Sequence, residues 1–214
     1  MQISVFRHWI GHYLLLSQRY STATKALSLR VMSLLRSWRK QGFKSVEMEE
    51  AGVMVAKALN ATVIAIDVLD ERLIFAKEIG ADYMVNGSQC NVLEAISEIT
   101  RGEGVDVAID CSGNSKGEKD ALSIIKPFGQ VVYIGENTEV LINPSDQLIR
   151  KEAMLLGSWY FPIWEFEEIA QFIVRKKVPL KKMVTHTFKF RDAAGAYEMF
   201  DKRLTGAVLL VNND

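Results

Sequence analysis

The chain has 214 residues, 49% of them apolar and 24% charged, with a formal net charge of zero. That composition fits a soluble globular protein, long enough for one domain with a sizeable core plus an appendage, and no stretch approaches the roughly 18 apolar residues of a membrane span. Two cysteines, Cys90 and Cys111, exclude a disulfide framework and a four-cysteine zinc site, which makes a reducing compartment such as the cytoplasm the default.

The charge is unevenly divided. Residues 1–46 hold eight basic residues (Arg7, Arg19, Lys25, Arg30, Arg36, Arg39, Lys40 and Lys44) and no Asp or Glu, so a boundary falls near residue 46. An Arg-rich, acid-free stretch in which 26–36 can form a basic amphipathic helix has the composition of a mitochondrial transit peptide. The alternative is that this segment is foreign to the fold. A nucleic-acid partner is not expected, because the rest of the chain points elsewhere. His8 and His12 share a helix face but lack a Glu or third ligand, so no metal site is expected there.

From Glu49 onward helical and strand periods alternate. Residues 49–59 read as a helix with Val53, Val55, Ala56 and Leu59 on its apolar side. The run TVIAID at 62–67 is a continuous apolar strand of the kind buried on both faces of a parallel sheet. Residues 70–79 form an amphipathic helix that Gly80 can stop. A short strand at 83–86, a helix at 92–100 and a second apolar, acid-ended strand at 105–110 follow. A helix at 116–125 must end before the turn Pro127-Phe128-Gly129. Strands at 130–135 and 154–159 and a helix at 164–176 complete the series. The spacing predicts an α/β, doubly wound parallel sheet, the Rossmann fold. In such a sheet Asp67, Asp110 to Gly113, and Gly135-Glu136 all fall at strand ends around one crevice.

The segment Arg72-Leu73-Ile74-Phe75-Ala76-Lys77-Glu78-Ile79-Gly80-Ala81-Asp82 carries an R-L-x-x-A-K-x-x-G-A-D pattern. It is followed in order by GEGVDVAIDCSG (102–113), KPFGQVVYIGE (126–136) and THTFKFRDAAGAYEMFDKRLTGAVLLV (185–211). These motifs resemble the nucleotide-binding half of medium-chain, alcohol-dehydrogenase-like oxidoreductases, and GSWYFPIWEF (157–166) is most similar to the zinc-type alcohol and polyol members. The resemblance divides the chain into a basic segment (1–46), a Rossmann dinucleotide-binding domain (47–178) and a segment (179–214) that in the family returns to a catalytic domain not expected within this chain. It implies NAD as cofactor, a secondary alcohol as substrate and a homo-oligomer as assembly.

The resemblance places the family's G-x-G-x-x-G turn on Glu47-Met48-Glu49-Glu50-Ala51-Gly52, so that only Gly52 keeps a glycine. Carboxylates at the other two glycine positions would each repel a phosphate charge by roughly 3 kcal/mol at about 5 Å and an effective dielectric near 20, weakening cofactor affinity. Asp67 stands where a carboxylate accepts the ribose hydroxyls, which favours NAD over NADP, and Arg72 flanks the adenine end. Cys111, Ser112 and Gly113 would line the cofactor, and Gly135 and Glu136 would approach the nicotinamide. Cys111 reads as a small buried residue rather than a nucleophile, since no His lies near it, and Cys90 carries no chemistry.

The family's catalytic zinc is held by a Cys, a His within Gly-His-Glu, and a further Cys or Glu. Gly11-His12-Tyr13 lacks that pattern and His186 reads as structural, so neither zinc ligands nor catalytic residues are assigned. Two functions compete: an NAD-dependent dehydrogenase domain inactive by itself, and a non-catalytic Rossmann binding or assembly module. A Rossmann methyltransferase shares the acid-ended strand but not the closing segment.

Overall fold

The computed structural model describes residues 2–5, 44–47, 50–159, 163–202 and 205–212. The basic helix read at 26–36, His8, His12, Glu49 and the side chain of Glu47 lie outside the described residues. In chain order the elements are β1 (Gln2–Val5), β2 (Lys44–Glu47), α1 (Glu50–Ala58), β3 (Thr62–Asp67), α2 (Asp70–Glu78), β4 (Tyr83–Asn86), α3 (Val92–Thr100) and β5 (Val105–Asp110). There follow α4 (Ser115–Ile124), β6 (Ile125–Tyr133), β7 (Met154–Gly157), α5 (Phe166–Lys176), β8 (Val184–Lys189), α6 (Ala193–Asp201) and β9 (Ala207–Val211).

Six parallel strands form one sheet in the order β4-β3-β2-β5-β6-β7, the doubly wound order whose switch point lies between β2 and β5. The end of the basic segment, Lys44-Ser45-Val46, poor in aliphatics and read as leader-like or foreign to the fold, is thus part of the short central strand, with Lys44 opposite Thr62 and Val46 between Ile64 and Ala108. The sheet therefore begins before the charge boundary at residue 46. Gln2–Val5, from the same basic segment, pairs antiparallel with β9 in a second sheet of order β1-β9-β8.

Successive residues of the strands point to opposite faces and feed two cores. Val63, Ala65, Val107 and Ile109 pack with Val53 and Met54 of α1, Leu73 and Ala76 of α2 and Phe172 of α5. Ile64, Ile66 and Ala108 pack on the other side with Ile96 of α3 and Ala121 and Leu122 of α4. Each fully buried aliphatic side chain contributes about 1.5–3 kcal/mol, so this two-sided burial is what holds a parallel sheet together. The helices stop and start where the sequence supplies local chemistry. Asn91 and Asn114 accept hydrogen bonds from the Leu93 and Lys116 amides at the starts of α3 and α4. Arg101 ends α3 in the left-handed region.

The motif's closing Asp82 proves to be half of a clamp with Lys57, which lies upstream of the motif. Lys57 Nζ at the end of α1 donates to both carboxylate oxygens of Asp82 (3.0 and 2.8 Å) and to the Ala61 carbonyl, while Asp82 Oδ2 accepts from the Val63 amide at 2.7 Å. One carboxylate thereby sets the angle at which the chain leaves α1 and enters β3.

The largest departure from the sequence reading is at Pro127-Phe128-Gly129. The expected turn ahead of a strand at 130–135 is instead a bulge inside β6, which pairs Ile125 with Val105 and then, after a register shift, Gln130 with Val107, and which ends at Tyr133. Two interactions absorb the extra residues: Lys126 pairs with Asp106, and the Phe128 amide donates to the Lys151 carbonyl at 2.6 Å. Likewise β7 stops at Gly157 rather than Trp159, and α5 is preceded by a single tight helical turn at Ile163–Glu165.

Lys151 also closes the end of α4. Its half-buried ammonium donates to the carbonyls of Leu122, Ser123 and Ile125 at 3.0, 2.7 and 2.8 Å, and burial pulls its pKa below the usual lysine value. Lys151→Met keeps the stem but leaves these carbonyls without their donor. The expected result is a loss of about 1–3 kcal/mol, read as a lower urea midpoint at unchanged slope.

Candidate functional site

The carboxyl ends of β3, β5 and β6 form the crevice edge, and the sequence-expected residues fall there in two groups. Asp67, the last residue of β3, is 9% exposed. Its Oδ1 accepts from the Val68 and Leu69 amides (2.7 and 3.0 Å), which turns the chain into α2. Among the described residues its Oδ2 receives only the half-buried Arg72 guanidinium, at 3.3 Å. Arg72 thus sits on Asp67 itself, held by the five-residue spacing across the first turn of α2.

The second group is built around Asp110, which is wholly buried. Its Oδ1 accepts from Ser112 Oγ at 2.7 Å and its Oδ2 from the Gly113 amide at 2.9 Å, folding Cys111-Ser112-Gly113 into a tight turn with Gly113 at φ +52°. The Asp110 carbonyl in turn accepts from the amides of Ile134 and Gly135 at 2.8 and 3.1 Å. Burial first of all raises the Asp110 pKa, against the lowering effect of the bonds from Ser112 and Gly113. The Cys111 side chain points into the core and is 5% exposed, as expected for a packing residue. Glu136 is exposed beside the turn.

Gly52 lies buried in the first turn of α1, two residues into the helix, consistent with close packing rather than with a ligand contact. His186 Nδ1 lies 2.9 Å from Thr185 Oγ1 and its ring stacks against Phe188, so it belongs to the second sheet. Among the described residues no group of three His, Cys, Asp or Glu side chains is placed to hold a metal ion. The residues described therefore do not fit the zinc of the family. None of the described helices is long and apolar enough to cross a membrane.

The structure adds residues that the sequence reading passed over. Glu118 is 3% exposed, and its carboxylate accepts from Asn137 Nδ2 at 2.7 Å. Tyr133 donates its hydroxyl to the Glu118 carbonyl at 2.8 Å. In sequence Glu118 looks like any acid in the first turn of a helix, favourable to the dipole and solvated; nothing local says that β6 and the loop after it cover it.

Gly135 has no room for a side chain. A Cβ there would lie 2.1 Å from the Gly113 nitrogen and 2.7 Å from its Cα, and 2.9 Å from the Cys111 carbonyl carbon, all backbone atoms that cannot swing aside. Gly135→Ala is expected to force the two strand ends apart and to cost about 1–3 kcal/mol, seen as a lower melting temperature and as loss of amide-exchange protection at Gly113.

Comparison with known proteins agrees with this layout. Residues 50–175 match the family model of zinc-binding dehydrogenases. The uncharacterized zinc-type alcohol dehydrogenase-like protein YphC of Escherichia coli K12 is 34% identical over 160 residues, 74% of this chain and 45% of that protein. Sorbitol dehydrogenase 1 of Saccharomyces cerevisiae is 31% identical over 151 residues, 67% of this chain and 42% of the yeast protein. A solved structure of a short chain alcohol dehydrogenase from E. coli CFT073, complexed with the cofactor NADH, shares the fold with a TM-score of 0.73 at 24% identity, covering 88% of this chain and 58% of that one. The chain spans somewhat less than half the length of these two curated relatives. With a family model covering most of the doubly wound sheet, the chain belongs to the zinc-binding dehydrogenases, oxidoreductases of the alcohol-dehydrogenase-like kind.

Proposed function

We propose that this chain is the NAD-binding half of an alcohol or polyol dehydrogenase acting on a secondary alcohol, and that it oxidises no alcohol by itself. The observation that carries the reading is Asp67: a carboxylate at the end of the second doubly wound strand, one oxygen committed to the backbone and the other held by a single long contact to Arg72. A ribose diol can take up that second oxygen, whereas a 2′-phosphate would meet the carboxylate charge, which favours NAD over NADP. The Cys111-Ser112-Gly113 turn and Gly135 present backbone rather than bulk along the remaining edge, with Glu136 beside them. Bound NAD would supply the hydride acceptor; the described residues contribute orientation of the nucleotide and no proton relay for the alcohol. The share of its relatives that the chain spans supports assigning the alcohol chemistry to residues elsewhere.

The test is a titration of NADH fluorescence. Asp67→Ala removes bonds worth about 1.5–3 kcal/mol each and is expected to raise Kd at least about tenfold. The double variant Glu47→Gly/Glu49→Gly should tighten binding if those carboxylates face the pyrophosphate. An Asp67→Ala chain that binds NADH like the wild type overturns the reading, as does NADH production from alcohol and NAD by the purified chain overturn its inactivity.

A second reading, a module that assembles with its own kind, draws on the free edge of the large sheet. On β7 Met154 and Leu155 are exposed, and nearby Trp159 and Trp164 are 53% and 79% exposed. An edge strand with apolar side chains is a template for pairing. Sedimentation over a range of concentrations is expected to show a dimer; a monomer at every concentration removes this reading.

A further inference from the structure

Two buried carboxylates, Asp110 and Glu118, lie beneath the crevice edge, and the charge of Asp110 disfavours that of Glu118. The ion pairs among the described residues include neither. The groups around Glu118 are polar but uncharged or anionic. From β5 comes Asp110, from β6 the Tyr133 hydroxyl, from α4 itself Ser115, and from the loop after β6 Asn137 and the Glu139 carbonyl. Lys116, on the same helix, turns outward to Asp120. Gln147, from the helical turn at Pro144–Ile149, reaches Lys119 and Ser123 instead, and Glu94 and Glu98 on α3 are exposed.

Asn137 is the clamp between this cluster and the loop. The two hydrogens of its Nδ2 are shared among Glu118 Oε2 (2.7 Å), the Glu139 carbonyl (2.8 Å) and Ser115 Oγ (2.9 Å), and its Oδ1 accepts from the Thr138 amide at 2.8 Å. Ser115 Oγ donates to the Glu139 carbonyl as well, at 2.7 Å. The loop so pinned begins at Gly135, whose backbone is locked against the Asp110 turn, and continues through the exposed Glu136. An ionised carboxylate is a stronger acceptor than a protonated one, so the clamp is tightest when Glu118 carries its charge. Burial and the Asp110 charge oppose that state and lift the pH at which Glu118 takes up a proton.

We propose that Glu118 is a positioning residue: through Asn137 it fixes the loop at Gly135–Glu139 as a proton-sensitive seat for the nicotinamide-bearing end of the cofactor. This rests on the NAD reading above for its ligand, and on the hydrogen bonds alone for the clamp. Asp67, on the far side of the crevice, is outside the cluster, so the adenosine end is independent of it.

The experiment has two readouts on the full chain. The first needs no cofactor: amide-exchange protection at Thr138 and Glu139 is expected to fall at least about threefold between pH 8 and pH 5 in the wild type, and to be low and flat in Glu118→Gln and Asn137→Ala. The second compares NADH with AMP, which lacks the nicotinamide. NADH affinity should weaken at least about threefold over the same range in the wild type and not in Glu118→Gln, while AMP affinity stays constant in both. Equal pH dependence of loop protection in wild type and Glu118→Gln overturns the clamp. A pH-sensitive loop with unchanged NADH affinity overturns the seat. A pH-sensitive loop in a chain that binds neither NADH nor AMP removes the cofactor reading, and the seat with it, while the clamp stands.

Discussion

The carboxyl ends of β5 and β6 approach so closely that a methyl group on Gly135 would overlap the Gly113 backbone, and it is the buried Asp110 that makes this approach hold. Its side chain satisfies the Ser112 hydroxyl and the Gly113 amide, and its own carbonyl takes up the Ile134 and Gly135 amides. Without these partners the turn would bury unsatisfied backbone groups, each costing about 1–3 kcal/mol. Everything proposed for the crevice, from a backbone-lined edge to the loop held by Asn137, follows from these two strand ends being locked together. The cost is a carboxylate kept out of water, which the raised pKa of Asp110 records.

The motifs that connect the chain to its family divide by physical role. Asp82 of the Arg72–Asp82 motif joins α1, β3 and β4 through a two-oxygen ion pair with Lys57 and a bond from the Val63 amide, so this part of the pattern serves the fold. Asp67 and Arg72 instead spend little on the fold beyond the turn into α2, and among the described residues the second oxygen of Asp67 meets only the half-buried Arg72 side chain. A match over residues 50–175 therefore speaks for the architecture across its whole length, but for ligand recognition only at a few strand ends. In the proposed enzyme the strand ends of this chain orient the nucleotide, and the alcohol chemistry falls to other residues.

Some elements were legible from local pattern and some were not, and the reasons differ. The apolar, acid-ended runs at Thr62–Asp67 and Val105–Asp110 read as buried parallel strands because both faces are covered, and so they are. Lys44–Glu47 defeats that logic: with Lys and Ser in place of aliphatics it gives no strand pattern, yet it is drawn between β3 and β5 by the backbone hydrogen bonds of its neighbours. Pro127-Phe128-Gly129 reads as a turn, but a strand can accommodate it as a bulge because Lys126 finds Asp106 and the Phe128 amide finds Lys151. Such compensation comes from residues distant in sequence and leaves no trace in the local period.

The sequence by itself determined the sheet class, the family, and the positions of Asp67 and Asp110 at strand ends, since periodicity and strand-terminal acids are local properties. Only the tertiary structure decided that Asp67 is paired with Arg72, that Gly135 stands against Gly113, and that Glu118 is buried under Asn137 and Tyr133. Burial, and with it the protonation behaviour of a carboxylate, depends on what other segments lay over it, and a helix acid that looks solvated in the sequence acquires its character only when the loop after β6 closes on it.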